Sequence, residues 1–313
     1  MNSKLGPLFC ILLSFGTVIR QTDMAYLNVA EFFNITNGNL SSITWAHAVN
    51  SKSELAASLN SSIMMLEADV VIGKINNSGN EIPIMAHPPA NTSDLSLSDF
   101  LSEILEFNLK ANSQAKKGVK LDFKSIEALE NSLDELDKLY ANMSYPVWIN
   151  ADIISGPVNA TGTPVDPARF FKNTKHFQNS TLSIGWTTNY GQNFSTSTYS
   201  NDQITNMLDV ILQNNVSQSI TFPVRAGIAA ESATQMRRLL SDVTNSTLTI
   251  WSGDGDNVNA KKLQQLILSV GVNKTYIDVP DALLKEINLS GSSSVAKTTL
   301  KLLGIALVAI LVL

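Results

Sequence analysis

The run MMLEADVVIG, residues 64–73, holds Glu67 and Asp69 one residue apart inside an otherwise apolar stretch. On a strand, residues two apart point to the same side of the sheet, so both carboxylates share one face. Two carboxylates on one face of an apolar strand cost free energy unless something positive sits between them. A bound cation or a catalytic role would account for them. A second short run, EIPIMAHPP at 81–89, then places His87 just behind in the chain.

Working outward, apolar, β-rich runs recur at 43–49, 62–72, 118–123, 146–153, 181–188, 219–226, 247–253 and 274–280. Segments with helical spacing lie between them, at 96–107, 125–140, 202–213, 229–242 and 259–270. Eight strand candidates alternating with helices is the count of a closed (β/α)8 barrel, the TIM-barrel class of α/β fold. A doubly wound open sheet is the rival, but no G-x-G-x-x-G loop follows the first strand. EIPIMA (81–86), separated from the second run by the turn-forming KINNSGN, predicts an added hairpin strand. His47, Glu67 with Asp69, Asp122 with Lys124, Asn150 with Asp152, and Arg225 all fall toward the C-terminal ends of their runs. That is the face on which barrel active sites are built.

The 313-residue chain is 44% apolar, enough for a large core and against global disorder. A net charge of −5 and a pI near 5.2, with no basic stripe, argue against nucleic acid as a partner. Residues 1–20 read as a signal peptide, with Lys4 before the apolar LFCILLSFGTVI, and 21–39 as an N-terminal extension. The single cysteine, Cys10, lies in that leader, so the mature chain would hold no disulfide. The barrel is expected over 40–287. Residues 288–313 order small residues, a polar spacer and an apolar tail, the pattern of a GPI-attachment signal. A membrane span is the alternative, but Leu302–Leu313 is short of the roughly 20 residues a span needs. N-x-S/T sequons stand at Asn34, Asn39, Asn60, Asn76, Asn91, Asn142, Asn159, Asn179, Asn193, Asn215, Asn245, Asn273 and Asn288. Composition alone makes several of these, yet their spread favours an extracellular route, and the C-terminal signal adds anchorage by a lipid at the cell surface.

In chain order the strand ends carry His47, Glu67-x-Asp69, His87 and Lys120-x-Asp122-x-Lys124. This order resembles the phospholipase-C-like phosphodiesterase barrels, including the glycerophosphodiester phosphodiesterases. More closely, ITWAHAVNS, EADV, MAHPP, GVKLDFK, VWINADIISGP and IGWTT together resemble the menorin family, over roughly residues 40 to 285. The resemblance implies the barrel throughout and a phosphodiester or phospholipid substrate. It also implies His47 and His87 as the proton-transfer pair, acting with water or an internal hydroxyl as nucleophile. Menorin-like proteins include secreted cues, which implies the rival reading of a non-enzymatic protein recognising cell-surface receptors.

Phosphodiester cleavage requires charge neutralisation on the phosphoryl oxygens and proton movement at both ends of the displacement. Glu67, Asp69 and Asp122 would hold a hard divalent cation, Mg²⁺ or Ca²⁺, through carboxylate oxygens. Lys120 or Lys124 would bind a phosphate oxygen. Asn150, Asp152 and Arg225 are the further substrate-binding candidates. Each has a blander reading: Asp122 pairs with a neighbouring lysine, Asn150 and Asp152 order the next loop, and the histidines are structural. Trp148, Trp186 and Trp251 read as core or pocket wall, and His176 as a surface residue of a helix. The glycerophosphodiesterase motif has Arg and Gly directly after its first histidine. Here HAVN replaces them, and Asn50 or Arg225 is expected to take over the lost contact.

Overall fold

The computed structural model describes residues 28–112, 115–158, 160–190 and 197–289. The expected leader and C-terminal signal, with Asn159 and Asn193, lie outside the described residues, save for Asn288 and Leu289 at the signal's start. Ten strands run in chain order: β1 (Trp45–Ala46), β2 (Met65–Ile75), β3 (Ser78–Met85), β4 (Thr92–Ser93) and β5 (Gly118–Phe123). Then come β6 (Val147–Ser155), β7 (Thr181–Thr187), β8 (Ile220–Arg225), β9 (Thr247–Trp251) and β10 (Thr275–Asp278). Eight of them line up in the order β1-β2-β5-β6-β7-β8-β9-β10, parallel throughout. The chain is therefore a nearly closed (β/α)8 barrel, and all eight predicted strands form.

Among the described residues no ladder joins β1 to β10. Side chains bridge that seam instead. His47 Nδ1 meets Asp278 Oδ2 at 2.9 Å, and the Trp45 ring lies edge-on to Tyr276 at 6.2 Å. The first strand is shorter than the expected 43–49 because Ala48 turns to φ 55°. That turn aims its N–H at Glu67 Oε2, 2.7 Å away, and ends the pairing.

The hairpin strand is present, with β3 antiparallel to β2. Its turn is tighter than KINNSGN suggested. Asn76 (φ 48°) and Asn77 (φ 59°) both adopt the left-handed conformation that a two-residue hairpin loop demands, and asparagine tolerates it. Lys74 and Ile75 therefore stay in β2, and Ser78 opens β3.

Two expected helices are each broken in two. The 125–140 segment splits into Ile126–Glu130 and Leu133–Tyr140, and 229–242 becomes Ala226–Ala230 and Ala233–Asp242. A buried serine stands at each break. Ser132 Oγ donates to Ala128 O at 2.6 Å and Ser232 Oγ to Ile228 O at 2.8 Å. Serine hydroxyls that bond back four residues compete with the helical ladder and bend it. The remaining expected helices appear as Leu97–Lys110, Asn201–Gln213 and Ala260–Val270. Serine or asparagine caps hold them: Ser96 accepts from Asp99 N, Ser200 from Gln203 N and Asn259 from Lys262 N.

The large core joins the outer faces of the strands to the helix ring. A second cluster plugs the N-terminal end of the barrel, where Val29, Ala30, Leu40 and Ile43 pack on Met65, Trp148 and Tyr276. Trp148 sits at its centre, 5.2 Å from Trp45 and 4.7 Å from Tyr276, both edge-on. Edge-on aromatic pairs add about 0.5–1.5 kcal/mol each beyond the area they bury. One end of the barrel is thus sealed and apolar. The charged candidate residues gather at the other.

Candidate functional site

Register builds the site. In the β2–β5 ladder Glu67 pairs with Lys120 and Asp69 with Asp122, and in the next ladder Asp122 pairs with Asn150. Oxygens of Glu67, Asp69 and Asp122 lie within 4.8 Å of one another, as the shared strand face required. Glu67 and Asp69 are 1% and 3% exposed.

The open end holds a cavity of about 530 Å³ lined by His47, Asp69, His87, Lys120, Asp122, Lys124, Asn150, Asp152, Arg225 and Trp251, among others. Of the candidates from the sequence, only Asn50 and the buried Glu67 do not line it. A chain of polar contacts runs across its floor. Asn50 Nδ2 donates to Asp69 Oδ2 at 2.8 Å. Lys124 Nζ lies 2.7 Å from Asp69 Oδ1 and 2.6 Å from Asp122 Oδ2. Asn150 Nδ2 donates to Asp122 Oδ1 at 2.6 Å, and Ser183 Oγ to Asn150 Oδ1 at 2.5 Å.

These contacts revise two expectations. Asn50 does not stand in for a phosphate-binding arginine: its amide oxygen accepts the Asp69 N–H at 2.9 Å while its nitrogen serves the carboxylate. It positions Asp69. Asp122 makes both its cavity contact and the lysine pair weighed as its blander reading. The two lysines also differ. Lys124 is neutralised by two carboxylates, whereas Lys120, 3% exposed, makes no ion pair among the described residues and faces the cavity.

The charges perturb one another in a readable order. Burial pushes the Glu67 carboxyl up, against the pull of Lys120 and His47. Burial pushes Asp122 the same way, but Lys124 and Lys120 outweigh it and hold it at about 2. Burial opposes the charge of Lys124, and Asp122 with Asp69 more than reverses that. On Asp152 the same two lysines pull downward but do not prevail. Burial, reinforced by the charge of Asp122, raises it to about 7. Gly185 makes room for this carboxylate, since a Cβ there would lie 2.8 Å from Asp152 Oδ1.

His47 is half exposed at the mouth. Burial works against its charge, but the bond to Asp278 and the carboxylates of Glu67 and Asp278 win, raising it to about 9. With Nδ1 engaged by Asp278, Nε2 is the nitrogen left for chemistry. His87 Nδ1 lies 2.7 Å from the Pro88 carbonyl. A carbonyl only accepts, so Nδ1 carries a proton and Nε2 is the ring nitrogen not engaged by this contact. Asp278 was missed in the sequence, although it too ends its strand, in TYIDVP.

Arg225 is held from several sides. Its Nε and Nη2 each donate to Asp256 at 2.8 Å, and its guanidinium lies 4.8 Å from the Trp251 ring and 5.4 Å from that of Tyr190. Trp251 is pocket wall and also lies parallel to the His47 ring at 6.5 Å. Trp148 and Trp186 are core. His176 falls just beyond the helix Pro167–Thr174, exposed and 2.7 Å from Asp137.

The barrel and its mouth can be set beside known proteins. Residues 39–284 match the menorin N-terminal domain. Protein FAM151B of Homo sapiens is 36% identical over 241 residues, covering 75% of this chain and 83% of the relative. The family match spans the strands that build the cavity, and the chain belongs to the menorin family.

Proposed function

We propose that the mouth is the active centre of an extracellular, divalent-cation-dependent phosphodiesterase acting on a phospholipid head group or a glycerophosphodiester. The observation that carries this reading is the meeting of three carboxylates from neighbouring strands under a cavity that two histidines share. The donors are all hard oxygens, which fits Mg²⁺ or Ca²⁺ held by Glu67, Asp69 and Asp122. When bound, such an ion supplies charge neutralisation for the phosphoryl oxygens.

The chain's own residues divide the remaining work. Lys120, the unpaired cation at the cavity wall, attracts and orients the phosphate. His87, with Nε2 free, takes the proton of the attacking hydroxyl or water. His47, protonated at neutral pH and fixed by Asp278, gives a proton to the leaving oxygen. Arg225, clamped by Asp256, and Asp152 border the space for the alcohol group.

The second reading, a recognition protein for cell-surface receptors, draws on Lys124. Its ammonium already satisfies Asp69 and Asp122, so the carboxylate cluster is balanced without an ion. Two measurements separate the readings. A native state that binds the ion gains about 2.7 kcal/mol at a hundredfold excess over Kd, so Mg²⁺ or Ca²⁺ should raise Tm, and Glu67→Gln should abolish the rise. His47→Ala should leave that rise intact and cut hydrolysis of a glycerophosphodiester panel by about 10²–10⁴-fold. No thermal shift, together with undiminished receptor-dependent function in the histidine variant, would give the second reading the field. No helix among the described residues is long and apolar enough to cross a membrane. Attachment by a lipid is part of the proposal, tested by release from cells with a phosphatidylinositol-specific phospholipase.

A further inference from the structure

The barrel gives the sequons an arrangement that their order in the chain conceals. In a parallel barrel every segment entering a strand lies at one end, opposite the mouth. Asn39 precedes β1, Asn60 β2, Asn142 β6, Asn179 β7, Asn215 β8, Asn245 β9 and Asn273 β10. Of the eight parallel strands, only β5 is entered without a sequon. Asn60, Asn142, Asn215, Asn245 and Asn273 are exposed, whereas Asn39 and Asn179 are half-buried. On the mouth side, among the described residues, Asn76 and Asn91 both belong to the arm that β2, β3 and β4 extend.

Loop geometry explains part of this. Asparagine suits the left-handed residue after a helix, and Asn215 (φ 50°) and Asn245 (φ 59°) occupy that conformation. Geometry does not explain the hydroxyl two residues later. Ser62, Ser144 and Ser217 complete the sequons of Asn60, Asn142 and Asn215, all exposed, and their hydroxyls make no hydrogen bond among the described residues. Thr275 is the contrast: it is buried, and its hydroxyl donates to Gly271 O at 3.1 Å. Three of these five sites thus carry an exposed hydroxyl with no hydrogen-bond partner among the described residues. Acceptor recognition by an oligosaccharyl transferase is the task such a hydroxyl performs.

We propose that the sealed end of the barrel is an N-glycan coat, built on Asn60, Asn142, Asn215, Asn245 and Asn273. At each site Nδ2 forms a bond to the anomeric carbon of a lipid-linked oligosaccharide and loses one proton. The anomeric C–O bond breaks, and its electron pair leaves with the lipid pyrophosphate. The Asn60 amide donates one hydrogen to Ala56 O at 2.9 Å and keeps its second for this exchange. Glycans are bulky and solubilising, so this end is closed to protein partners and docking is left to the mouth and the helix ring. The proposal is independent of the phosphodiesterase reading.

The test uses the full chain secreted by animal cells, with glycans removed by an amidase in heavy-oxygen water. Each glycosylated asparagine then becomes a labelled aspartate that peptide mass mapping locates. Label at most of the five positions is expected. Gel mobility should rise by one step for each single Asn→Gln substitution, and base loops should become cleavable by protease only after glycan removal. Label confined to Asn76 and Asn91, or found nowhere, would overturn the proposal. So would base loops equally open to protease before and after treatment.

Discussion

Lys124 is the side chain on which the cation reading turns. Its ammonium lies between Asp69 and Asp122, the place an ion shared by those carboxylates would need. Ion and lysine therefore exclude one another there. Lys124→Met should lower the ion-free Tm, because removing one partner of a buried pair costs about 3–5 kcal/mol. It should also enlarge the rise that Mg²⁺ or Ca²⁺ produces, as read by thermal denaturation with and without the ion. Asp152 offers a pH test. Its folded pKa, about 7, stands above the ordinary aspartate value of 3.8. The folded state thus holds this proton more tightly, and stability falls as pH rises between those values. Asp152→Asn removes that loss, so its Tm advantage over the wild type should be larger at pH 8 than at pH 4. Glu67, Asp69, Asp122 and both histidines were legible because strand ends and a two-residue period place them. Asp278 was not, because its partner His47 lies 231 residues away and only barrel closure brings the two together.

Elements were legible where the period was strong and less so where a single side chain interrupts it. The segments broken at Ser132 and Ser232 were both read from spacing as continuous, over 125–140 and 229–242, because a serine bonding back four residues leaves no mark in the apolar pattern. The helix Lys52–Leu59 was missed because only Leu55 and Ser58 are buried on it. A capping signal was nonetheless present: Ser51 Oγ accepts from Glu54 N, and Glu54 returns a carboxylate to the Asn50 N–H. β7 carries the sharpest test at this scale. A Cβ at Gly185 would lie 2.8 Å from both Asp152 Oδ1 and Pro223 Cγ. Gly185→Ala should therefore destabilise by about 1–3 kcal/mol through overpacking, measured by denaturant unfolding.

At the scale of the whole molecule, the strand count and the side on which polar residues gather sufficed for the barrel and its mouth. The plug at the sealed end was not legible, because Val29 to Ile43 form only short helical turns with no sustained period. The two ends should separate in experiment. Trp148→Ala, at the centre of the plug, should cost about 3–5 kcal/mol of stability while the ion-dependent rise in Tm persists. The seam between β1 and β10 joins what the ends keep apart. One hydrogen bond, His47 to Asp278, orients the proposed proton donor and also clasps the barrel where, among the described residues, no backbone ladder does. On the proposed function, selection on turnover and selection on folding act through the same pair of side chains. A relative without catalysis would still lose part of its closure on discarding this histidine. Its retention in a silent relative would then record the need for a buckle, whatever had become of the chemistry.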